Sequence, residues 1–334
     1  MSSPGAYVHR VNGSDPEHLK LKSKISGHAA HQDKRDRTFD ELRYSIRSLT
    51  EHLPWHTGPI FIVTPNQRPS WLRTDQDRIK IIDQTTLLPE EVGVTFNSFL
   101  IEFYLDRIDG VSDYIIQHND DYFYSRYAHP RFFFTEDGRT RFFQTPHPWN
   151  INRFVADRQL ALMPQNPSWD DKLMQALRHT GASMKEVFED PNVMFYWLEH
   201  APYVWAKWSF AATRAAFGSY LRVMFEHKFR HEGDLVPTIA HQAYITHLDS
   251  YGAHFYEVET RCEARGLLKF GQMLDDVQKN SELFDLLGTR RFVMFNVNDD
   301  LTDKSSSEQP EQFARFLSKM FPKASPFEIV ETSH

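Results

Sequence analysis

The feature that most constrains the fold of this chain is an alternation of short apolar segments with amphipathic segments between residues 6 and 116. This pattern predicts strands at 6–11, 60–63, 79–82 and 114–116 and helices at 39–52 and 96–108. Strands that alternate with helices form βαβ units, which place parallel strands side by side. The sequence therefore predicts an α/β protein with a Rossmann-like, mostly parallel sheet.

One predicted strand ends abruptly in polar residues. The run Tyr114-Ile-Ile-Gln-His-Asn119-Asp120-Asp121 begins apolar and ends in two carboxylates. Open α/β sheets usually bind ligands at the carboxyl ends of their strands, and adjacent carboxylates suit a hard divalent cation that also contacts phosphate oxygens. Neighbouring side chains of an extended chain point in opposite directions, so one Asp could bind metal while the other acts as a base or orients a ligand. The alternative is a polar turn in which an Asp caps the next element.

The remainder of the chain changes character near residue 145. Residues 131–134 and 141–143 flank Asp137-Gly138 and predict a β-hairpin. A mainly helical insertion follows, with strong helix patterns at 207–225 and 266–287, and then a last strand at 291–295 and a helix at 309–320. We divide the chain into a core at 1–145, a mainly helical region at 146–288, and a segment at 289–334 that completes the core.

Composition excludes several classes of protein. The net charge of −7 argues against nucleic-acid binding driven by overall charge. A single cysteine, Cys262, excludes an intramolecular disulfide and a cysteine-rich zinc site. No segment reaches the length of apolar sequence that a membrane span needs, and the first residues lack the pattern of a signal peptide. We expect a cytoplasmic protein that could form a homo-oligomer.

Several motifs together carry a family resemblance. Segments at 40–48, 62–71, 95–98 and 118–123 resemble the Stealth family of sugar-phosphate transferases. The other family regions are matched in the same order, the first at 11–16, the third at 200–203 and 229–234, and the fourth at 295–300 and 321–328. The resemblance therefore covers nearly the whole chain and implies a GT-A-like form of the Rossmann-like sheet. It also implies the Golgi lumen as the alternative location if an N-terminal anchor is missing from the sequence.

The resemblance implies a reaction and a set of catalytic residues. Stealth proteins transfer a sugar 1-phosphate from a nucleotide-diphosphate sugar, here resembling a UDP-N-acetylhexosamine, to a hydroxyl of a glycan or glycoprotein acceptor. Asp120 and Asp121 are the expected ligands of Mg²⁺ or Mn²⁺, and Arg230 is expected to contact phosphoryl oxygens. His200 is the expected base, with one Asp of the pair as its rival. Asp234 would orient Arg230 or meet the metal if the segment between them is helical.

Further positions are implied to bind substrate. They are Asn12, Gly13, Asp15, Arg43, Arg47, Thr64, Asn66, Asn97 and Asn119. For Arg43 and Arg47, one helical turn apart, a solvated helix face is the alternative to an anionic pocket. The chain also departs from the family pattern at His9-Arg10, where Thr-Trp is usual, and at Phe99, where Asn is common.

The sequence leaves two other functions open. A metal-dependent glycosyltransferase also places carboxylates and a cation on a donor diphosphate, and it differs by breaking the anomeric carbon–oxygen bond. A non-catalytic glycan- or nucleotide-binding protein is the second alternative. Asn298-Asp299-Asp300 is either a second cation site or a turn leading into a helix, and the turn is slightly favoured.

Overall fold

A computed structural model describes residues 5–9, 15–26, 38–73, 75–149, 169–193, 195–249, 254–302 and 305–329. The strands are β1 Gly5–His9, β2 Ile60–Thr64, β3 Ile79–Asp83, β4 Tyr114–Asn119, β5 Tyr122–Tyr124, β6 Thr140–Trp149, β7 Phe195–Leu198, β8 Tyr203–Ala206, β9 Tyr256–Glu259, β10 Leu268–Met273 and β11 Met294–Asp299. The helices are α1 Pro16–Ser26, α2 Glu41–His52, α3 Ser98–Glu102, α4 Trp169–Val187, α5 Lys207–Ala216, α6 Gly218–Met224, α7 Pro237–Asp249, α8 Val277–Gly288 and α9 Glu308–Met320. None of these helices combines the length and apolarity needed to cross a bilayer.

The main sheet has five strands in the order β3-β2-β1-β4-β8. β1 to β4 are mutually parallel, and β8 joins β4 in the antiparallel direction. Every residue of β2 is buried, as expected for a parallel strand with both faces covered. The strand order reverses at β1, as it does in Rossmann-like sheets, so β1 and β4 flank the position where such sheets bind ligands. The predicted α/β class is confirmed.

A second sheet, in the order β10-β11-β5, packs against α8 and α9. β5 follows β4 after only two residues, Asp120 and Asp121, so the carboxylate pair forms the link between the two sheets. Gly271 in β10 lets α8 approach closely, since a Cβ there would lie 2.9 Å from a methyl carbon of Leu283. This arrangement fixes the position of β11 beside the carboxylate pair.

The predicted hairpin is reduced to one bridge. Gly138 adopts the left-handed φ of 86° and makes the Asp-Gly turn, but only Phe134 and Thr140 pair across it. Pro130–Phe132 forms a 3-10 turn instead of a strand, with Pro130 in its first turn and the His129 side chain accepting from the Arg131 N–H. Phe133, which follows it, is completely buried against Trp55 and Tyr124. β6 then pairs with β7 and β9 in a third sheet.

Several predicted elements differ from the structure. The helix expected at 266–287 is wrong in its first half, which forms β10 and pairs with β11, so that α8 begins only after the cap at Asp276. The helix expected at 207–225 is divided at Phe217 into α5 and α6. The helix expected at 96–108 is the short α3 followed by a 3-10 turn at Leu105–Arg107.

The last strand ends four residues beyond the strand predicted at 291–295. Asn298 and Asp299 are its final residues, and α9 begins only at Glu308, so the favoured interpretation as a turn leading directly into a helix is wrong. The three sequence regions are also interleaved, since β8 from the middle region completes the main sheet and β10 pairs with β11.

Candidate active site at the carboxyl edge of the main sheet

The carboxyl ends of β1, β2 and β4 lie together. His9 at the end of β1 is in register with Val63 of β2 and with Asn119 of β4. Thr64 and the half-buried Asn119, both predicted to bind substrate, therefore flank β1 at one edge of the sheet. Parallel strands explain this placement, because their carboxyl ends meet at the same edge.

The loop after β2 is fixed by its own hydrogen bonds. Thr64 Oγ1 donates to the carbonyl of Gln67 (2.8 Å) and accepts from its N–H (3.0 Å). Asn66 between them has a left-handed φ of 58°, which is uncommon for a residue other than glycine. Gln67 Nε2 donates to Asp15 Oδ2 (3.1 Å), so the predicted residue Asp15 is held against this loop. Asn12 and Gly13, the other predicted positions of that segment, lie outside the described residues.

A cavity of about 670 Å³ opens beside this loop. It lies between the loop, the start of α2 and one face of α9. Its lining consists of Asp15, Thr38, Phe39, Asp40, Thr64, Gln67, Arg68, Pro69, Ser70, Trp71, Pro310, Glu311 and Ala314. Asp40 in this lining also has a left-handed φ, of 67°. Asn66 and Asp40 both flank the cavity, and Asn and Asp are the non-glycine residues that adopt this conformation most readily.

The carboxylate pair, Asp120 and Asp121, lies between the end of β4 and the start of β5. Tyr122 of β5 is opposite Asn296 of β11, which brings the Asn296 side chain to Asp121. Burial and the negative charge of Asp120 raise the pKa of Asp121 to about 8, against an opposing hydrogen bond from Asn296. Asp121 therefore carries a proton at neutral pH unless a positive charge is supplied.

His200 is linked to the carboxylate pair through Asn296. Asn296 Nδ2 lies 3.4 Å from His200 Nδ1 and 3.3 Å from Asn298 Oδ1. The His200 ring packs on Phe270 with 4.9 Å between ring centroids, and burial lowers the pKa of His200. The imidazole is therefore neutral near pH 7 and is able to accept a proton.

Arg230 rests on α3. Its Nε donates to Ser98 Oγ (2.7 Å), and its guanidinium carbon lies 4.6 Å from the ring centroid of Phe99. Phe99, the position that departs from the family pattern, is thus a support for Arg230. The charge of Arg230 also acts on Glu102, one turn further along the same helix.

Asp234 neither orients Arg230 nor joins the carboxylate pair in this arrangement. Residues 227–236 form a loop, so the condition under which Asp234 and Arg230 would share a helix face is not met. Asp234 is completely buried and accepts from Asn97 Nδ2 (2.8 Å) and the His231 N–H (2.7 Å), with His227 Nδ1 at 2.7 Å. It holds together the loop that carries Arg230, and Asn97, predicted to bind substrate, is buried in the same contact.

Arg43 and Arg47 converge on a carboxylate. Arg47 donates through Nε and Nη2 to Glu328 (2.7 Å each) and through Nη1 to the carbonyl of Phe321 (2.9 Å). Arg43 Nε donates to the same carboxylate (2.6 Å). The guanidinium of Arg47 therefore faces Glu328 rather than an open anionic pocket, whereas Arg43 also lies beside the cavity residues Asp40 and Trp71. We call these three residues the Glu328 clamp.

Sequence reasoning missed Asn296, Glu102 and Glu328 as important residues. Asn296 can be detected in the sequence, because it is a polar residue inside the apolar run Met294–Val297. The structure buries it completely. Glu102 follows Ser98 by four residues, which places both on one face of α3. Glu328 gives no local signal, since its partner Arg47 is 281 residues away.

The arrangement fits a cation that binds mainly to substrate. Within the described residues, no group of three or more His, Cys, Asp or Glu side chains is positioned to hold a metal ion. Mg²⁺ commonly uses only one or two carboxylates, with waters and substrate phosphates completing its shell. Asp120 and Asp121 meet that requirement, and the adjacent Asn296 Oδ1 is a buried oxygen without a hydrogen-bond partner in the described structure.

Comparison with known proteins confirms the family resemblance. Residues 35–142 match Stealth protein CR2, conserved region 2. An exopolysaccharide phosphotransferase of Streptomyces coelicolor is 29% identical over 328 residues, which are 95% of this chain and 50% of that protein. A capsular polysaccharide phosphotransferase of Actinobacillus pleuropneumoniae is 33% identical over 194 residues, 53% of this chain and 51% of that protein. The chain spans about half the length of the first of these relatives.

A solved structure is also similar over most of the chain. The galactosyltransferase LgtC, in complex with donor and acceptor sugar analogues, has a TM-score of 0.42 and 8% identity, with 96% of this chain and 98% of that chain covered. The fold assignment rests on the strand order of this chain itself.

Proposed function

Because the chain carries conserved region 2 of the Stealth proteins and aligns along most of its length with an exopolysaccharide phosphotransferase, we propose that it is a sugar-1-phosphate transferase. Its donor is a nucleotide-diphosphate sugar resembling a UDP-N-acetylhexosamine, and its acceptor is a hydroxyl of a glycan or glycoprotein. The acceptor oxygen bonds to the phosphorus that carries the sugar, and the bond from that phosphorus to the nucleoside monophosphate breaks.

The observation that carries this proposal is the meeting of Asp120, Asp121, Asn296 and His200 at the carboxyl edge of the sheet. Transfer of a phosphoryl group needs positive charge on its oxygens and a base for the incoming hydroxyl. The pair of acids supplies a place for the cation, and the neutral imidazole of His200 supplies the base. Asp121, with its raised pKa, is the rival base.

We propose that Mg²⁺ or Mn²⁺ is held by Asp120 and Asp121 together with the donor diphosphate. The bound ion would neutralise charge on the phosphoryl oxygens. The high pKa of Asp121 supports this assignment, since a buried carboxyl next to a second acid favours ionisation only when a cation is present.

Arg230 is the protein's own phosphate contact in this proposal. Its planar fork donates parallel hydrogen bonds to phosphoryl oxygens and stays charged at all relevant pH values. Through His200 and Arg230, the region predicted to be mainly helical contributes side chains to an edge built by the core strands. The cavity beside Asp15, Thr64 and Trp71 is of a size that accommodates a nucleoside.

The test is product analysis with a panel of nucleotide sugars, a glycan acceptor, and Mg²⁺ or Mn²⁺. Release of a nucleoside monophosphate, with the sugar phosphate found on the acceptor, supports the proposal. Release of a nucleoside diphosphate identifies a glycosyltransferase instead. Donor binding without any product identifies a binding protein. Full turnover after exhaustive chelation, with metal content measured near zero, contradicts the metal assignment.

A further inference from the structure

A chain of directed hydrogen bonds crosses the main sheet and ends beside Arg230. Trp205 Nε1 in β8 donates to Gln117 Oε1 in β4 (2.7 Å), and Gln117 Nε2 donates to Glu102 Oε2 in α3 (3.0 Å). Trp205 is completely buried and Gln117 is nearly so. Trp205 and Gln117 are not among the site residues described above, and Glu102 entered there only through its charge interaction with Arg230.

The chemistry of the groups fixes the direction of this chain. An indole N–H donates and never accepts, so Gln117 must present its oxygen to Trp205. Its amide nitrogen then necessarily faces Glu102, whose oxygen must accept. The sheet therefore presents a hydrogen-bond donor to the carboxyl group of Glu102 and stabilises its anionic form.

Three residues of α3 act on Arg230, two by direct contact and one through its charge. Ser98 accepts from its Nε, the Phe99 ring lies under its guanidinium, and Glu102 interacts with its positive charge. Ser98 and Glu102 share a helix face, and Phe99 is buried next to Ser98. A hydroxyl and an aromatic ring constrain the position of the guanidinium, but only Glu102 supplies an opposite charge from this helix.

The electrostatic balance at Glu102 agrees with this geometry. Burial raises the pKa of Glu102 to about 7, while the charge of Arg230 and the hydrogen bond from Gln117 oppose that rise. Glu102 also acts on the buried phenol of Tyr122, as does Asp121, so the carboxyl of Glu102 lies on the same flank of the site as the carboxylate pair.

We infer that Glu102 is a positioning residue, oriented by Gln117 and Trp205, that holds the guanidinium of Arg230 in the orientation needed to contact the transferring phosphoryl group. This inference rests on the proposed function for its kinetic consequence, but the charge interaction between Glu102 and Arg230 is independent of it. Glu102 touches no substrate and acts only through Arg230.

The central variant is Glu102→Gln, which keeps the shape and the hydrogen bond to Gln117 but removes the charge. We expect kcat to fall about tenfold with little change in the donor KM, because a correctly oriented Arg230 matters most in the transition state. Thermal stability should be retained, since the variant removes a buried charge. Glu91→Gln, on an exposed carboxylate, is the matched control and should leave kcat unchanged.

A double-mutant cycle separates positioning from general damage. If Glu102 acts through Arg230, the variant that combines Glu102→Gln with Arg230→Lys should be no slower than Arg230→Lys alone. Additive losses in this cycle would overturn the inference, as would unchanged kcat in Glu102→Gln.

The NMR signal of the Arg230 Nε–H gives a readout that needs no turnover. It is assigned by its disappearance in Arg230→Lys, and it should shift in Glu102→Gln but not in Glu91→Gln. If the wild-type protein transfers no sugar phosphate but the signal shifts as expected, the proposed function fails while the interaction between Glu102 and Arg230 stands. A signal that is unchanged in Glu102→Gln overturns that interaction itself.

Discussion

The pKa values of two acids of this protein, Glu328 and Asp121, are shifted in opposite directions. Burial raises the pKa of Glu328, but hydrogen bonds from Arg47, the Ser325 N–H and Arg43 outweigh it and bring that pKa to about 2. Burial also raises the pKa of Asp121, and there the neighbouring charge is another acid, so the pKa reaches about 8. The same kind of side chain is fully ionised in the Glu328 clamp and protonated at the sheet edge.

The difference indicates which acid is structural and which is reserved for a ligand. The clamp surrounds its carboxylate with two guanidinium groups, so nothing further is needed to stabilise the charge. Asp121 receives a side-chain hydrogen bond only from the neutral amide of Asn296 and lies beside Asp120. A strongly perturbed group in this position is a typical functional residue, because a bound cation is what would ionise it.

The largest expected effect comes from removing charge at the sheet edge. Asp121→Asn and Asp120→Asn should each lower kcat/KM by on the order of 10²–10³-fold, as for loss of one transition-state contact. Both variants should fold, because Asn keeps the shape of Asp. The measurement is steady-state kinetics of nucleoside monophosphate release, with Asp75→Asn, in an exposed pair with Arg73, as the control. Near-native rates in both variants would show that Asp120 and Asp121 form only a polar turn.

Local patterns in the sequence predicted the strand that ends in the carboxylate pair, but not the Glu328 clamp. The strand ending in Asp120-Asp121 is recognisable because apolar periodicity and its interruption occur within a few residues. The clamp is different, since Arg47 and Glu328 are 281 residues apart and nothing local to either position indicates that they pair. The helix predicted at 266–287 fails for a related reason, because pairing with β11 makes Leu268–Met273 a strand.

The sequence likewise did not indicate which residues contact those of the site. Asn296 reaches Asp121 only because β5 and β11 pair, and Glu102 reaches Gln117 only because α3 packs beside β4. The family resemblance placed His200 and Arg230 near the site, but it gave neither their supports nor the loop structure around Asp234. The tertiary contacts of the folded chain determine these features.

The second prediction concerns the clamp. Glu328→Gln should lower the free energy of unfolding at pH 7 by about 3 kcal/mol, since it leaves the buried guanidinium of Arg47 without its counter-charge. The folded pKa is below the unfolded one, so the stabilisation is present above pH 4.5 and is lost as the pH falls toward 2. Urea unfolding of both proteins measures this. A loss that persists undiminished below pH 3 would show that packing, not charge, explains the effect.

The third prediction tests the opposite sign at Asp121. Its folded pKa of about 8 exceeds the ordinary value of 3.8, so the folded state binds the extra proton between these values. The contribution of Asp121 to stability should therefore be lost as the pH rises from 4 to 8, and Asp121→Asn should lack this contribution.

In the presence of a chelator, wild type should lose more than about 1 kcal/mol relative to Asp121→Asn between pH 5 and pH 9. Urea unfolding at the two pH values is the measurement. Parallel pH profiles for the two proteins would contradict the raised pKa. Repeating the series with Mg²⁺ in place of chelator should reduce the loss if the cation binds at the pair.

The smallest effect should separate the two arginines of the clamp. Arg47 has a side chain that is 10% exposed, whereas that of Arg43 is 30% exposed and borders the cavity. Because solvent screens the more exposed pair, Arg43→Gln should cost only about 0.5–1 kcal/mol of stability, less than Arg47→Gln. Double-mutant cycles with Glu328→Gln should accordingly give the larger coupling energy for Arg47. Equal couplings would remove the distinction, and a raised donor KM in Arg43→Gln without loss of stability would place Arg43 in the substrate pocket that the sequence predicted.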